Sequence, residues 1–179
     1  LKNIKNTNSL IRALAFRIYE SNGVVKREDV MNFIDKLQQS DRKILRELGV
    51  RFGRYHIFLY KLFKPKIVSL RLLLWKNYHQ KFKDLRPPKF GLNFIENKNK
   101  LNQSFMLICG FEKFDNFYVR IDILERLFLM IIESEKNIKK EIKLKPEMLN
   151  LLGCNKENFI KLIEKMNYKI LIKENEIYF

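Results

Sequence analysis

Seven side chains between Arg51 and Arg71 can hold an anion: Arg51, Arg54, His56, Lys61, Lys64, Lys66 and Arg71. Phe52, Tyr55, Phe58 and Tyr60 are interleaved with them. An arginine forks onto a phosphate through two hydrogen bonds, and an exposed aromatic ring stacks on an unpaired base. In an extended chain alternate side chains face opposite ways, so Arg54, His56 and Phe58 share one face, with Tyr55 and Ile57 on the other. The competing reading is a core strand with buried rings and merely solvated charges. Local charge favours contact: residues 42–89 hold 14 basic residues against two acidic ones, Glu47 and Asp84. Such a field attracts phosphate and releases counterions on contact. These seven residues are the candidate nucleic-acid-binding set.

Chemistry of other kinds finds little support. A phosphate-cradling loop needs the pattern GxxxxGK[ST], and the glycines at 23, 49, 53, 91, 110 and 153 never form one. His56 and His79 stand far apart, each among basic residues, where a phosphate contact or a hydrogen bond is the commoner role. Asp115, Asp122 and Glu125 lie close in sequence and read as a helix cap and a solvated face. Cys109 and Cys154 are 45 positions apart with no second Cys or His near either, which leaves no four-ligand zinc set. Both read as buried free thiols. No catalytic or metal site is expected in these residues.

The whole chain carries the same asymmetry. Its 179 residues have a net charge of +16, and residues 1–100 hold 23 Lys and Arg against eight Asp and Glu. Residues 101–179 hold 13 against 12. Lys, Asn, Ile and Phe are abundant, as AT-rich coding produces, but compositional drift acts on both halves alike and does not explain the split. No apolar run approaches 18 residues, so no span of a bilayer is expected. A basic, Leu-rich helix around residues 64–82 raises peripheral membrane attachment as a rival, set aside because Leu70, Leu73 and Leu74 read as core. The expected location is cytoplasmic. The chain opens at Leu1, and is expected to be part of a longer protein.

Hydrophobic spacing supplies the elements that position these residues. Leu10, Ile11, Leu14, Ala15 and Ile18 form a helical stripe over 8–20, capped by Asn8 or Ser9. A second helix runs from about Arg27 with Val30, Phe33, Ile34 and Leu37 inward, and Ser40 or Asp41 starts a third with Ile44, Leu45 and Leu48 inward. Residues 50–60 read as an extended segment or bent strand. Pro65 opens a helix with Ile67, Leu70, Leu73 and Leu74 on its apolar face. Pro87, Pro88, Gly91 and several Asn mark residues 86–104 as a linker or ordered loop. Beyond it, Ile123 to Ile132 predicts a helix capped by Asp122, Pro146 opens another, and Asn155 caps a third with Phe159, Ile160, Ile163 and Met166 inward. Tyr168–Lys173 and Ile177–Phe179 flank Glu174, Asn175 and Glu176 in a hairpin pattern.

The expected fold is therefore mainly α, with a basic helical part at 1–85 and a winged-helix-like part with a small β-hairpin at 105–179. The third helix of that second part balances Lys156, Lys161 and Lys165 against Glu157 and Glu164, and Glu174 and Glu176 sit at the hairpin tip. Its expected role is packing or protein contact.

The stretch Leu48-Gly-Val-Arg-Phe-Gly-Arg-Tyr-His-Ile-Phe-Leu59, followed by Leu62-Phe-Lys-Pro65 and Leu70-Arg-Leu-Leu-Leu-Trp75, resembles a known family. It is the region after the motor in alphaproteobacterial relatives of the mitochondrial degradosome RNA helicase, which are DExH-type superfamily 2 proteins. Gly110-Phe111, Val119-Arg-Ile-Asp-Ile-Leu-Glu-Arg126 and Met148 through Gly153-Cys154 to Asn167-Tyr168 extend the resemblance in order over about residues 10–170. Tyr60 stands where the family usually has proline. The resemblance implies a C-terminal accessory region of an ATP-dependent RNA or DNA helicase. The motor domains, with their ATP and Mg, would lie upstream of Leu1, and no cofactor is expected in this chain itself. Single-stranded RNA or DNA is the implied partner, and the mitochondrial relatives make an exoribonuclease a second candidate. Against this stands a protein-interaction module that docks the helicase onto a nuclease or ribosome.

Overall fold

Asn8 starts the first helix: its side-chain oxygen accepts the amide of Leu10 at 3.2 Å, supplying a partner that the first turn lacks. In α1 (Ser9–Glu20) the residues Ile11, Leu14, Ala15 and Ile18 form the buried stripe. The computed structural model describes residues 8–97, 101–135, 141–173 and 176–179. It divides into two compact units, Leu1–Gln80 and Lys81–Phe179.

In the first unit Gly23 turns the chain from α1 into β1 (Val24–Lys26). Its φ of +87° suits glycine, and a Cβ there would lie 2.0 Å from Leu62 Cδ1. A short 3₁₀ turn at Glu28–Val30 leads into α2 (Met31–Ile34). A capping box then opens α3 (Gln39–Glu47), with the Gln38 amide donating to the Asp41 carboxylate at 3.1 Å. β2 (Val50–Phe52) and β3 (His56–Leu59) form an antiparallel hairpin, and β1 pairs with the other side of β3, giving the order β1-β3-β2.

Strand alternation sorts this sheet into two faces. Val25, Val50 and Ile57 join Ile11, Leu14, Ile18, Val30, Ile34, Leu37 and Leu45 in one core. At about 1.5–3 kcal/mol for each fully buried aliphatic side chain, this cluster is the main source of the unit's stability. On the opposite face Phe58 meets Phe63 edge to face, with ring centroids 5.2 Å apart. Lys64 and Pro65 then open α4 (Pro65–Tyr78), with proline in the first turn where its missing N–H costs nothing.

The second unit begins with β4 (Phe94–Glu96), α5 (Gln103–Ile108), β5 (Phe111–Phe114) and β6 (Phe117–Arg120), in the antiparallel order β4-β6-β5. Next come α6 (Ile121–Glu135), α7 (Pro146–Leu152), α8 (Lys156–Lys165) and a hairpin of β7 (Leu171–Lys173) and β8 (Glu176–Tyr178). Ahead of α7, the Ile142 and Leu144 amides donate to Phe179 O at 2.9 Å and Ile177 O at 2.8 Å, laying a third short segment beside β8. Leu124, Leu127, Phe128, Leu152, Phe159, Leu162 and Ile163 are buried together in sequence-distant helices of this unit.

Several expectations change. The described residues are mixed α/β, with three small antiparallel sheets beside the helices, where a mainly α chain was expected. Strands of three or four residues carry too little period-2 pattern to stand out, and pairing defines them. Residues 50–60 are two strands joined by a tight turn, because Gly53 donates to His56 O at 2.8 Å and reverses the chain. The stretch read as linker or loop contains β4, which pairs with β6. Asp122 lies inside the first turn of α6 and binds the Arg120 guanidinium at 2.6 Å, where a capping role was expected. Leu48 is exposed, because α3 has ended before it. The phase of α4 is rotated: Val68 and Leu72 are buried, while Leu70, Leu73 and Leu74 face outward. Glu174 and Asn175 of the expected hairpin tip lie outside the described residues.

Candidate nucleic-acid interface

The first unit carries the charge. Residues 1–80 hold 17 basic against six acidic residues, and no carboxylate occurs from Leu48 to Lys83. The basic residues fall into three places within this unit.

The first is the β2–β3 hairpin. Arg51 is exposed at the middle of β2, paired in register with Phe58, and its guanidinium lies 4.8 Å from the Tyr60 ring centre. Such stacking occupies the flat face of the group, whereas its N–H donors lie in the plane, the geometry that phosphate accepts. Arg54 is exposed in the turn between the strands. That turn is held from outside: Arg27 donates from Nη1 to Gly53 O at 2.9 Å, and from its backbone to Tyr55 O at 2.7 Å.

The second place is the turn into α4. Lys61, Lys64 and Lys66 are all exposed there, within six residues of one another. The third is α3, whose outer side shows Lys43 and Arg46 to solvent. Arg46 lies 5.8 Å from the Phe52 ring centre, which ties the end of α3 to β2. Arg42 is spent differently, donating from Nη2 to Ile34 O at 2.9 Å and bracing α3 against α2.

Two of the seven candidates belong to the frame. His56 is 3% exposed, and Phe58, expected beside it on an open face, is 5% exposed. Alternation does put them on one side of β3, but that side is covered. Arg71 is half-buried and donates from Nη2 to Asn22 O at 2.7 Å, fastening α4 to the turn after α1. The exposed basic face therefore comprises Arg51, Arg54, Lys61, Lys64 and Lys66, with Lys43 and Arg46 added. The sequence signal for the added pair was present: they occupy the phase of α3 opposite Leu45.

The second unit looks different. A cavity of about 730 Å³ is lined by Asn97, Asn116, Asn155 and Asn158 together with Asp115, Glu157, Lys161 and Lys165. Asp115 and Lys165 pair at 2.8 Å, and this contact raises the lysine above its ordinary value through the hydrogen bond and charge of the carboxylate. Cys109 is buried, and burial pushes the Cys154 thiol up to about 11, far from the range of a reactive thiolate. Among the described residues no group of three His, Cys, Asp or Glu side chains is placed to hold a metal ion, and no helix is long and apolar enough to cross a membrane.

Comparison of the chain with known protein families, with curated proteins and with solved structures gives no match.

Proposed function

We propose that this chain is the nucleic-acid-binding C-terminal accessory region of an ATP-dependent RNA or DNA helicase, gripping a single strand beside a motor upstream. The observation that carries the reading is the exposed basic face of Arg51, Arg54, Lys61, Lys64 and Lys66 in a stretch that lacks any carboxylate. The helicase part of the reading rests on the resemblance of residues 48–75 and the motifs that follow in order. ATP and Mg belong to the motor, and this chain contributes strand contact.

Element order supports the reading. In the first unit helix, strand, helix, helix and two strands follow one another with sheet order β1-β3-β2, the connectivity of a winged helix. The segment from α6 to β8 repeats that order, with residues 142–144 as its first strand. The basic charge sits on the first of these, and the second, with mixed charges on α8, suits protein contact.

Fluorescence anisotropy with labelled single-stranded RNA and DNA across salt tests the proposal on the whole chain. Wild type should bind with a steep salt dependence, and Arg51→Ala/Arg54→Ala should weaken it and reduce the logarithmic salt slope by about 2. Binding that is absent at low salt overturns the proposal.

One observation favours a second reading, a module that docks the helicase onto another protein. Leu70, Leu73, Leu74 and Tyr78 are more than half exposed along one side of α4, an apolar stripe beside Lys64 and Lys66. Size-exclusion chromatography with the exoribonuclease from the same genome tests it: co-elution lost in Leu73→Glu, with anisotropy unchanged, would support docking.

A further inference from the structure

We propose that the first unit has a second nucleic-acid surface, formed by α3 and the tip of the β2–β3 hairpin, and that it takes duplex. The inference rests on the nucleic-acid reading above and deepens it by naming the form of the ligand at a different face.

α3 is held from behind and presents a polar front. Leu45 is fully buried, Asp41 is taken up by the capping box, and Arg42 is bonded to Ile34 O. What remains outward is Gln39, Ser40, Lys43, Arg46 and Glu47, all exposed. Two cations and two neutral hydrogen-bonding side chains stand there against one carboxylate. A helix with its side chains is about 10–12 Å across, and the B-form major groove is about 12 Å wide, so such a front enters it. In this connectivity the third helix is the element that lies in the groove while the hairpin reaches the neighbouring backbone.

The hairpin is built for that second contact. Arg54 is exposed at the tip, and the bonds from Arg27 to Gly53 O and Tyr55 O hold the tip in one conformation. A pinned cation loses little freedom on binding phosphate, which preserves affinity.

Duplex is favoured over single strand here because the rings nearby are committed. Phe58 is buried, and Phe52 and Tyr55 are half-buried, with Phe52 also facing the Arg46 guanidinium. Stacking on unpaired bases needs open ring faces, whereas paired phosphates across a groove need only spaced donors. The equivalent helix of the second unit, α8, alternates Lys156, Lys161 and Lys165 with Glu157 and Glu164, and has no such front.

The test is anisotropy of the 179-residue chain with a blunt DNA duplex, a blunt RNA duplex and the corresponding single strands. Lys43→Ala/Arg46→Ala should weaken the DNA duplex at least tenfold while single-strand binding stays within twofold. Lys43→Glu, with an unchanged melting temperature, should do the same and exclude a folding defect. Because the A-form major groove is too narrow for a helix, RNA duplex should bind more weakly and respond less. Equal loss on single strand and duplex, or no loss on either duplex, overturns the duplex surface while leaving the accessory-region reading intact. Wild-type failure to bind any of the four nucleic acids overturns both.

Discussion

Arg27 and Gly53 are joined by a 2.9 Å hydrogen bond from the guanidinium to the carbonyl oxygen, and this bond connects the end of β1 to the turn of the β2–β3 hairpin. It makes the exposed tip a fixed part of the sheet. Arg27→Met keeps the aliphatic stem and removes the donor. A hydrogen bond to a charged group contributes about 1.5–3 kcal/mol, so the variant should lose that order of stability in urea denaturation. Amide exchange at Gly53 and Tyr55 should quicken more than exchange in α1.

Position 56 separates frame from face. His56→Ala should lower stability, because a buried polar ring is removed from a closely packed sheet, and should leave the salt slope of nucleic-acid binding unchanged. Arg51→Ala should do the reverse: a stability change within about 0.5 kcal/mol and a slope reduced by about 1. Parallel denaturation and anisotropy series read both.

The phase of α4 is testable by neighbouring leucines. Leu72 is 4% exposed and Leu73 is 57% exposed. Leu72→Ala should cost about 2–5 kcal/mol, the usual range for a buried leucine. Leu73→Ala should cost less than about 0.5 kcal/mol. Equal losses would mean that α4 packs in a different rotation.

Cys154 should resist alkylation. Burial pushes its thiol up to about 11, so the thiolate is scarce at pH 8. Iodoacetamide labelling followed by mass spectrometry should proceed well below the rate of a free cysteine at pH 8. The rate should rise steeply as pH approaches 11, provided the fold persists.

The contact between Lys143 and Glu176 predicts how the C-terminal hairpin responds to pH. The hydrogen bond from Lys143 holds Glu176 below the usual carboxylate value, and the same bond raises Lys143. The carboxylate contribution is fully present above about pH 4.5, the unfolded value, and is lost as pH falls through the lower folded value. The lysine contribution is fully present below its ordinary value of 10.5 and is lost as pH rises through the higher folded value. Exchange at Leu144, whose amide bonds to Ile177 O at 2.8 Å, should therefore be best protected between these limits, relative to intrinsic rates. Glu176→Gln should flatten the acid side.

Much of the helical framework could be read in order from the chain. The stripe Ile11, Leu14, Ala15 and Ile18, the Asn155 cap, Pro146 and Gly153 at the two ends of α7, and the last hairpin each carry a local signal, a period of 3.6 or 2 or a residue with a special backbone preference. The charge split was equally plain, because charge is counted along the chain without regard to fold. That determined a basic first half and a set of phosphate-seeking side chains.

Tertiary structure decided which of those side chains reach solvent. His56 and Arg51 are both polar residues of one hairpin, yet one is covered and one is open; Arg42 and Lys43 are adjacent on α3, yet Arg42 is bonded to Ile34 O and Lys43 faces outward. A three-residue strand such as β1 has no period of its own and exists because β3 lies beside it. On α4, leucines fill several phases, so hydrophobicity alone could not choose the buried one; contact with the rest of its unit selects Val68 and Leu72. Local pattern fixes what a segment is, and burial, which depends on partners distant in sequence, fixes what its side chains can do.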